Sequence, residues 1–144
     1  MCADSFRKID RIVVDTNVFV SAIMAPRSIP RQAVDQASDN GVLLFSEATL
    51  AELEEVLRRP KFDRYVSREE RVIFLGQLGV AAEFVPIVQL VSECRDAKDD
   101  KFLEVALNGR ADVIITGDAH LLGMHPWREV AVLSSAQYLK NRLR

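Results

Sequence analysis

The sequence has few of the residues that build disulfide frameworks or zinc sites, and no long apolar run. Two cysteines and two histidines occur among 144 residues. Cys2 and Cys94 stand far apart, in no Cys-x-x-Cys or Cys/His spacing, so both are expected to be plain thiols. No stretch reaches the ~18 uninterrupted apolar residues that a membrane-spanning helix needs. The first ten residues carry charges and no apolar run typical of a secretion signal, which predicts a cytoplasmic protein without a membrane partner.

The chain also lacks an excess of positive charge. Its 19 Lys and Arg residues stand against 21 Asp and Glu residues, for a formal net charge of −2. This balance argues against the broad basic surface of a protein that coats nucleic acid. A nuclease is still compatible with it, because a divalent metal can offset the charge of carboxylates and substrate. The one basic stretch, residues 58–71, has the composition of a solvated helix face and loop.

Val- and Ile-rich segments alternate with helical patterns along the chain. Strands are expected at residues 11–15, 42–45, 83–87, 112–116 and 130–133. Helices are expected at residues 18–24, 31–40, 50–57, 67–83, 99–108, 120–122 and 134–144. This alternation predicts an α/β fold, a three-layer α/β/α sandwich with a mostly parallel central sheet of four to five strands. The length and the 49% apolar composition predict one domain over residues 1–144.

Two aspartates come at the ends of predicted strands. Asp15 follows the first strand, and Asp118 follows the strand at 112–116. Because the carboxyl ends of parallel strands form one rim, where ligands bind in such sheets, the two carboxylates should converge there. Each also has a structural interpretation, since Asp15 can begin an Asx turn or cap the next helix, and Asp118 can cap the short helix at 120–122.

A third carboxylate begins the helix at residue 99. At about 100° per residue, Asp99 continues the apolar stripe of Phe102, Leu103 and Ala106, whereas Asp100 points farther from it. A charge on an inward face is costly unless something pairs with it. Asp99 therefore becomes a site candidate, with an N-cap role as the alternative. Asp96 precedes the helix and can hold its start or support the site.

Glu52 is the acid whose position is least informative by spacing alone. It lies away from the apolar stripe of its helix, and Thr49-Leu-Ala-Glu52 fits a T-x-x-E capping box. The spacing therefore favours a helix cap over a functional carboxylate.

Four motifs in order make the chain resemble the PIN-domain family, in particular its small prokaryotic branch of toxin components from toxin–antitoxin pairs. They are Val13-Val-Asp15-Thr16-Asn17-Val-Phe19, Ala51-Glu52-Leu53-Glu54-Glu55-Val-Leu57, Asp96-Ala-Lys-Asp99-Asp100-Lys-Phe-Leu-Glu-Val-Ala106 and Ala111-Asp-Val-Ile-Ile-Thr116-Gly117-Asp118. The resemblance implies a PIN-like fold and a ribonuclease site formed by Asp15, Glu52, Asp99 and Asp118. It further implies support from Thr16, Asn17 and Thr116, with Asp100 as an extra acid.

The same resemblance sets expectations for cofactor and partners. Hard oxygen ligands without Cys or His suit Mg²⁺ or Mn²⁺ rather than zinc. The expected reaction is hydrolysis of RNA phosphodiester bonds. A cognate antitoxin and a homodimer are expected by resemblance, with residues 75–80 as a candidate interface.

Three other functions use a similar set of residues. Haloacid-dehalogenase-like phosphatases place a second acid two residues after the strand-end aspartate, where this chain has Asn17. A response-regulator receiver needs two adjacent early acids and a late lysine, and no lysine lies between Lys101 and Lys140. A catalytically silent PIN-like module that binds RNA or protein remains the main alternative, and the complete set of four acids argues against it.

Overall fold

Five parallel strands form the centre of the molecule. The computed structural model describes residues 9–142. Its strands are β1 Asp10–Val14, β2 Gly41–Phe45, β3 Ala82–Phe84, β4 Val113–Ile115 and β5 Ala131–Leu133. They pair in the order β3-β2-β1-β4-β5, and every pairing is parallel. The chain thus builds the sheet outward from β1 in one direction and then returns to add β4 on the other side.

Helices cover both faces of this sheet. They are α1 Thr16–Met24, α2 Ile29–Asn40, α3 Glu47–Leu57, α4 Arg68–Val80, α5 Asp100–Asn108, α6 Ala119–Leu122 and α7 Ser135–Arg142. Short 3₁₀ helices lie at Pro60–Phe62 and Ala97–Asp99. Within residues 9–142, no helix combines the length and apolarity needed to cross a membrane.

Alternate residues of the strands enter two separate cores. Ile12 and Val14 of β1 pack with α1 to α4 and α7. Val13, between them, faces the opposite side and packs with α5 and α6. Because both faces are buried, the strands are continuous apolar runs rather than alternating ones. The three-layer α/β/α sandwich predicted from the sequence is confirmed, with five strands.

The start of α3 corrects one prediction. Ser46 Oγ accepts a hydrogen bond from the Thr49 amide (3.2 Å), and Thr49 Oγ1 accepts one from the Ser46 amide (2.9 Å). This reciprocal cap satisfies the first amides of the helix. The T-x-x-E box predicted for Thr49 and Glu52 is therefore wrong, because Thr49 is the third residue of the helix and its side chain bonds to Ser46, the N-cap. Glu52 is left to make contacts outside its helix.

The third strand is shorter than its pattern predicts. It covers Ala82–Phe84 rather than residues 83–87, lies at the edge of the sheet and is exposed throughout. Pro86, which has no amide hydrogen, follows two residues later. In the stretch 75–80, Leu78 is buried in the core whereas Val80 is 90% exposed.

The basic residues of the stretch 58–71 are exposed, except for Arg71. Arg58 and Arg59 form ion pairs with acids one turn earlier in α3. Arg71 is instead buried, and its guanidinium donates to the Leu57 carbonyl (2.8 Å) and pairs with Asp63. Arg71 therefore fastens the end of α3 to α4 and is not available to a ligand.

Candidate active site at the carboxyl edge of the sheet

Asp15 lies where β1 meets α1. Its amide donates to the Ile115 carbonyl of β4 (2.9 Å), which continues the sheet pairing by one residue. Its Oδ1 accepts a hydrogen bond from the Asn17 amide (3.2 Å), so Asp15 caps α1 as the structural interpretation predicted. Its Oδ2 accepts one from the Thr116 hydroxyl (2.8 Å). The side chain is 5% exposed, so it is a buried carboxylate held from two sides.

Asp118 reaches the same edge from β4. Thr116 is fully buried and its Oγ1 accepts a hydrogen bond from the Asp118 amide (3.0 Å). Asp118 Oδ1 in turn accepts one from the His120 amide (2.8 Å) and caps α6. Because β1 and β4 are neighbours, Asp15 and Asp118 meet at the point where the strand order reverses. Crevices at such points are the usual ligand sites of open parallel sheets.

Asp99 approaches from the start of α5. It occupies the N-cap position of that helix, yet its side chain makes no capping hydrogen bond. Its carboxyl group interacts instead with Asp118 and Asp15. Asp99 therefore stands at the N-cap position, as the alternative interpretation predicts, but its side chain does not cap the helix.

Burial and neighbouring acids raise the pKa of two of these carboxyl groups. Burial, followed by the hydrogen bond with Asp118 and the charges of neighbouring acids, raises the pKa of Asp99 to about 6. Burial also raises the pKa of Asp15, and the hydrogen bonds from Thr116 and Asn17 oppose that rise. The negative charges of Glu52 and Asp118 raise the pKa of Asp15 further. Asp15 and Asp99 therefore both lie among neighbouring acids, which disfavours a full set of negative charges.

Glu52 joins this environment from α3 with both of its oxygens engaged. The Thr16 hydroxyl donates to Oε1 at 2.5 Å. The Lys101 ammonium lies 2.7 Å from Oε2. Lys101 was not among the residues that the sequence singled out. Its contact depends on the approach of α3 to α5, and the only signal in the sequence is a lysine two residues after Asp99.

Asp100 and Asp96 have structural roles at the start of α5. Asp100 is more buried than Asp99, contrary to the helical-wheel prediction, because its Oδ1 accepts hydrogen bonds from the backbone amides of Glu93 (3.1 Å) and Cys94 (2.8 Å). Burial opposes ionisation of Asp100, but these bonds outweigh it and lower its pKa. Asp96 accepts a hydrogen bond from the Lys98 amide and caps the 3₁₀ helix, as predicted for the start of this segment.

The cysteine next to this loop is an unreactive thiol. Cys94 is a free thiol, and burial together with Asp100 raises its pKa to about 12. The thiol therefore stays protonated at neutral pH. The plain-thiol prediction is confirmed for Cys94, and Cys2 lies outside the described residues.

A cleft of about 380 Å³ opens beside Asp15 and Asp118. Its lining consists mainly of small polar residues from the ends of β1, β4 and β5 and the starts of the helices that follow: Asp15, Asn17, Val18, Ser21, Pro30, Thr116, Gly117, Asp118, Ser134 and Ser135. Asn17 is exposed there. The buried Asp15 carboxylate can thus be approached from solvent through a polar opening.

The donor chemistry of the four acids fits a hard divalent cation. All are carboxylates, without Cys or His among them. Burial first, and then the neighbouring acids, raise the pKa of Asp15 and Asp99. A cation of charge two would offset the negative charge of these acids. In the arrangement described for residues 9–142, however, no group of three or more Asp, Glu, His or Cys side chains is placed to hold a metal ion. The chemistry of these donors nevertheless suits a divalent cation.

Comparisons with known proteins identify the family of this chain. The model of the PIN domain matches residues 11–120, a range that includes all four acids. The uncharacterized protein MJ1680 of Methanocaldococcus jannaschii is 31% identical over 116 residues, which cover 79% of this chain and 74% of that protein.

Two solved structures share the fold at 13% sequence identity. VapBC2 from Rickettsia felis, bound to a DNA fragment from its promoter, aligns with a TM-score of 0.55 over 85% of this chain and 96% of that one. VapC20 from Mycobacterium tuberculosis, a sarcin-ricin loop cleaving toxin, aligns with a TM-score of 0.52 over 83% of this chain and 98% of that one. From the family match and the 31% identical relative, the chain belongs to the PIN-domain family.

Proposed function

We propose that this protein is a ribonuclease that hydrolyses RNA phosphodiester bonds with Mg²⁺ or Mn²⁺ at Asp15, Glu52, Asp99 and Asp118. The observation that carries the proposal is the meeting of carboxylates at the edge of the sheet. Thr116 bonds the Asp15 carboxylate and the Asp118 amide, the Asp99 carboxyl group interacts with Asp118, and the charge of Glu52 acts on Asp15. So many acids around one point destabilise the protein unless a cation or a proton compensates them. Structural capping explains the backbone contacts of Asp15 and Asp118 but gives no reason for Asp99 and Glu52 to join them.

The four acids would divide the work. Asp15 and Asp99 are assigned as metal ligands, and Asp118 as a ligand or a group that orients water. Glu52 would hold a second ion or position the attacking water. When bound, the metal supplies charge compensation for the phosphoryl oxygens and a more acidic water.

Neighbouring groups support these roles. Thr116 holds the Asp15 carboxylate and the Asp118 amide with one hydroxyl. Thr16 fixes one oxygen of Glu52. Asn17 holds Asp15 through its amide and lines the cleft, where its side chain would face the RNA. In hydrolysis the water oxygen bonds to phosphorus, the bond to the leaving ribose oxygen breaks, and the proton lost by water is balanced by one gained on that oxygen.

The partners follow from the same family. The likeness to VapC20, a toxin, supports a role as the toxin of a toxin–antitoxin pair with a cognate antitoxin protein. We propose action in the cytoplasm, where cellular RNA is available. A homodimer is also proposed, and exposed apolar residues such as Val80 and Phe84 are available for contact near the sheet edge.

The experiment compares three proteins on one substrate. Wild type, Asp15→Asn and Asp39→Asn would be incubated with end-labelled single-stranded RNA in Mg²⁺, Mn²⁺ or EDTA. Asp39 is an exposed aspartate of α2 and controls for the loss of one negative charge. Circular dichroism establishes that each variant is folded.

Metal-dependent cleavage by wild type and Asp39→Asn, lost in folded Asp15→Asn, is the expected result. If the folded wild type cuts no RNA with either metal but binds it, the protein is a silent RNA-binding module. Cleavage that persists in EDTA would also contradict the proposal, because the carboxylates alone would then suffice.

A further inference from the structure

Lys101 is a cation in contact with Glu52, one of the four acids of the site. Its ammonium lies 2.7 Å from Glu52 Oε2, donates to the Lys98 carbonyl and stands 5.3 Å from the centre of the Phe102 ring. The side chain is only 18% exposed. A lysine on a solvated face samples many positions, whereas this one is held by three separate contacts.

Lys101 also forms an ion pair with the acidic site. Among the ion pairs within residues 9–142, one involves a site acid: the pair between Lys101 and Glu52. In this described part of the chain, the Lys101 ammonium is thus the positive charge that contacts the set of four site acids, through Glu52. With the Thr16 hydroxyl on its other oxygen, Glu52 has no oxygen without a partner.

This pairing restricts how Glu52 can meet a metal ion, because both of its oxygens already have partners. Glu52 can bind a metal only if its carboxylate breaks the contact with Lys101 or contacts Lys101 and the metal at the same time. A divalent ion near Glu52 would also meet the repulsion of the ammonium.

We propose that Lys101 is an internal counter-cation that holds Glu52 in the metal-free protein and competes with the metal for it. This positioning role rests on the proposed metal-dependent function. Lys101 stabilises the acidic cluster before metal arrives and lowers the affinity of the site for metal. Metal loading then requires the Lys101–Glu52 contact to give way.

The test measures Mn²⁺ binding by isothermal titration calorimetry, with no RNA present. Lys101→Met keeps the length of the side chain and removes its charge, and Lys101→Arg keeps the charge. Lys140→Met removes an exposed positive charge from α7 as the control. Adding Asp15→Asn to each protein identifies the heat that belongs to this site.

The expected result is that Lys101→Met binds Mn²⁺ more tightly, with a Kd lower by about three- to tenfold, because a nearby positive charge is gone. Lys101→Arg and Lys140→Met should stay within about twofold of wild type, since local positive charge is retained. Without metal, Lys101→Met should melt at a lower temperature than wild type, and Mn²⁺ should raise its melting temperature more. A merely structural lysine would weaken metal binding when removed.

Each other outcome has a defined meaning. If wild type binds Mn²⁺ and folded Lys101→Met binds it equally or more weakly, the counter-cation role is rejected and the nuclease proposal stands. If none of the proteins binds Mn²⁺, both proposals are rejected. Should Lys101→Met fail to fold, Lys101→Gln makes the same measurement with a polar, neutral side chain.

Discussion

The Thr116 hydroxyl donates a 2.8 Å hydrogen bond to Asp15 Oδ2, which joins the ends of two neighbouring strands. The two residues are 101 positions apart in the sequence, and both are buried. The same hydroxyl accepts from the Asp118 amide. One buried oxygen therefore bonds both the carboxylate of Asp15 and the backbone of Asp118.

Replacing Thr116 by Val keeps the shape of the side chain and removes both hydrogen bonds. A buried carboxylate and a backbone amide then lose a partner, so Thr116→Val should lower the free energy of unfolding by about 1–3 kcal/mol. It should also slow RNA cleavage, because Asp15 is no longer fixed. Urea unfolding at pH 7 and single-turnover cleavage measure the two effects. Thr116→Ser, which keeps the hydroxyl, should retain most of the activity; equal losses in both variants would show that the methyl group matters instead.

The position of Asp15 and Asp118 at one edge of the sheet could be predicted from the sequence. Strand-end aspartates and alternating elements predict that β1 and β4 present their acids at one edge, since parallel strands share a direction. Burial periodicity also predicts the two-faced sheet. These features depend on local pattern, which each segment carries by itself.

Contacts between helices are the part that the sequence did not reveal. Spacing describes only the helix that carries Glu52 and by itself favours a cap, so it is the family resemblance that puts Glu52 in the site. Spacing gives no indication of Lys101 for the same reason. The 2.7 Å pairing of Glu52 with Lys101 exists because α3 and α5 approach each other. Asp100 was placed away from the core by the wheel, which ignores hydrogen bonds from a preceding loop. Only the packed structure decides such long-range pairings.

The raised pKa of Asp99 predicts a pH-dependent cost to stability. Its pKa is about 6 in the folded protein and ~3.9 in an unfolded chain. Between these values the folded state binds the extra proton, so this group's contribution is fully present below pH ~4 and is lost as pH rises through about 6. Asp99→Asn stays neutral throughout. In EDTA it should be more stable than wild type at pH 8 by about 1–2 kcal/mol, after allowance for solvent screening.

Urea unfolding of wild type and Asp99→Asn at pH 4 and pH 8 checks this. The difference between the two proteins should vanish at pH 4, where Asp99 is protonated in wild type. Mg²⁺ at pH 8 should reverse the order, because wild type gains a bound ion that the variant holds less well. A difference that is the same at both pH values would mean that ionisation of Asp99 is not its cause.

Asp99 and Asp100 are adjacent acids with opposite expected effects. Asp100→Ala leaves the Glu93 and Cys94 amides without their acceptor, so the free energy of unfolding at pH 7 should fall by about 2–3 kcal/mol. Because the pKa of Asp100 is lowered in the folded protein, the contribution of Asp100 to stability is present at pH values above its unfolded pKa and is lost as pH falls through its folded pKa.

Metal binding separates the two acids. In Asp100→Ala the Kd for Mn²⁺ should stay within about twofold of wild type, since the Asp100 carboxylate is directed at the loop amides. Asp99→Ala should do the reverse and weaken Mn²⁺ binding without that loss of stability. Urea unfolding and calorimetry on both variants separate the two roles, and loss of Mn²⁺ binding in folded Asp100→Ala would place Asp100 among the metal ligands.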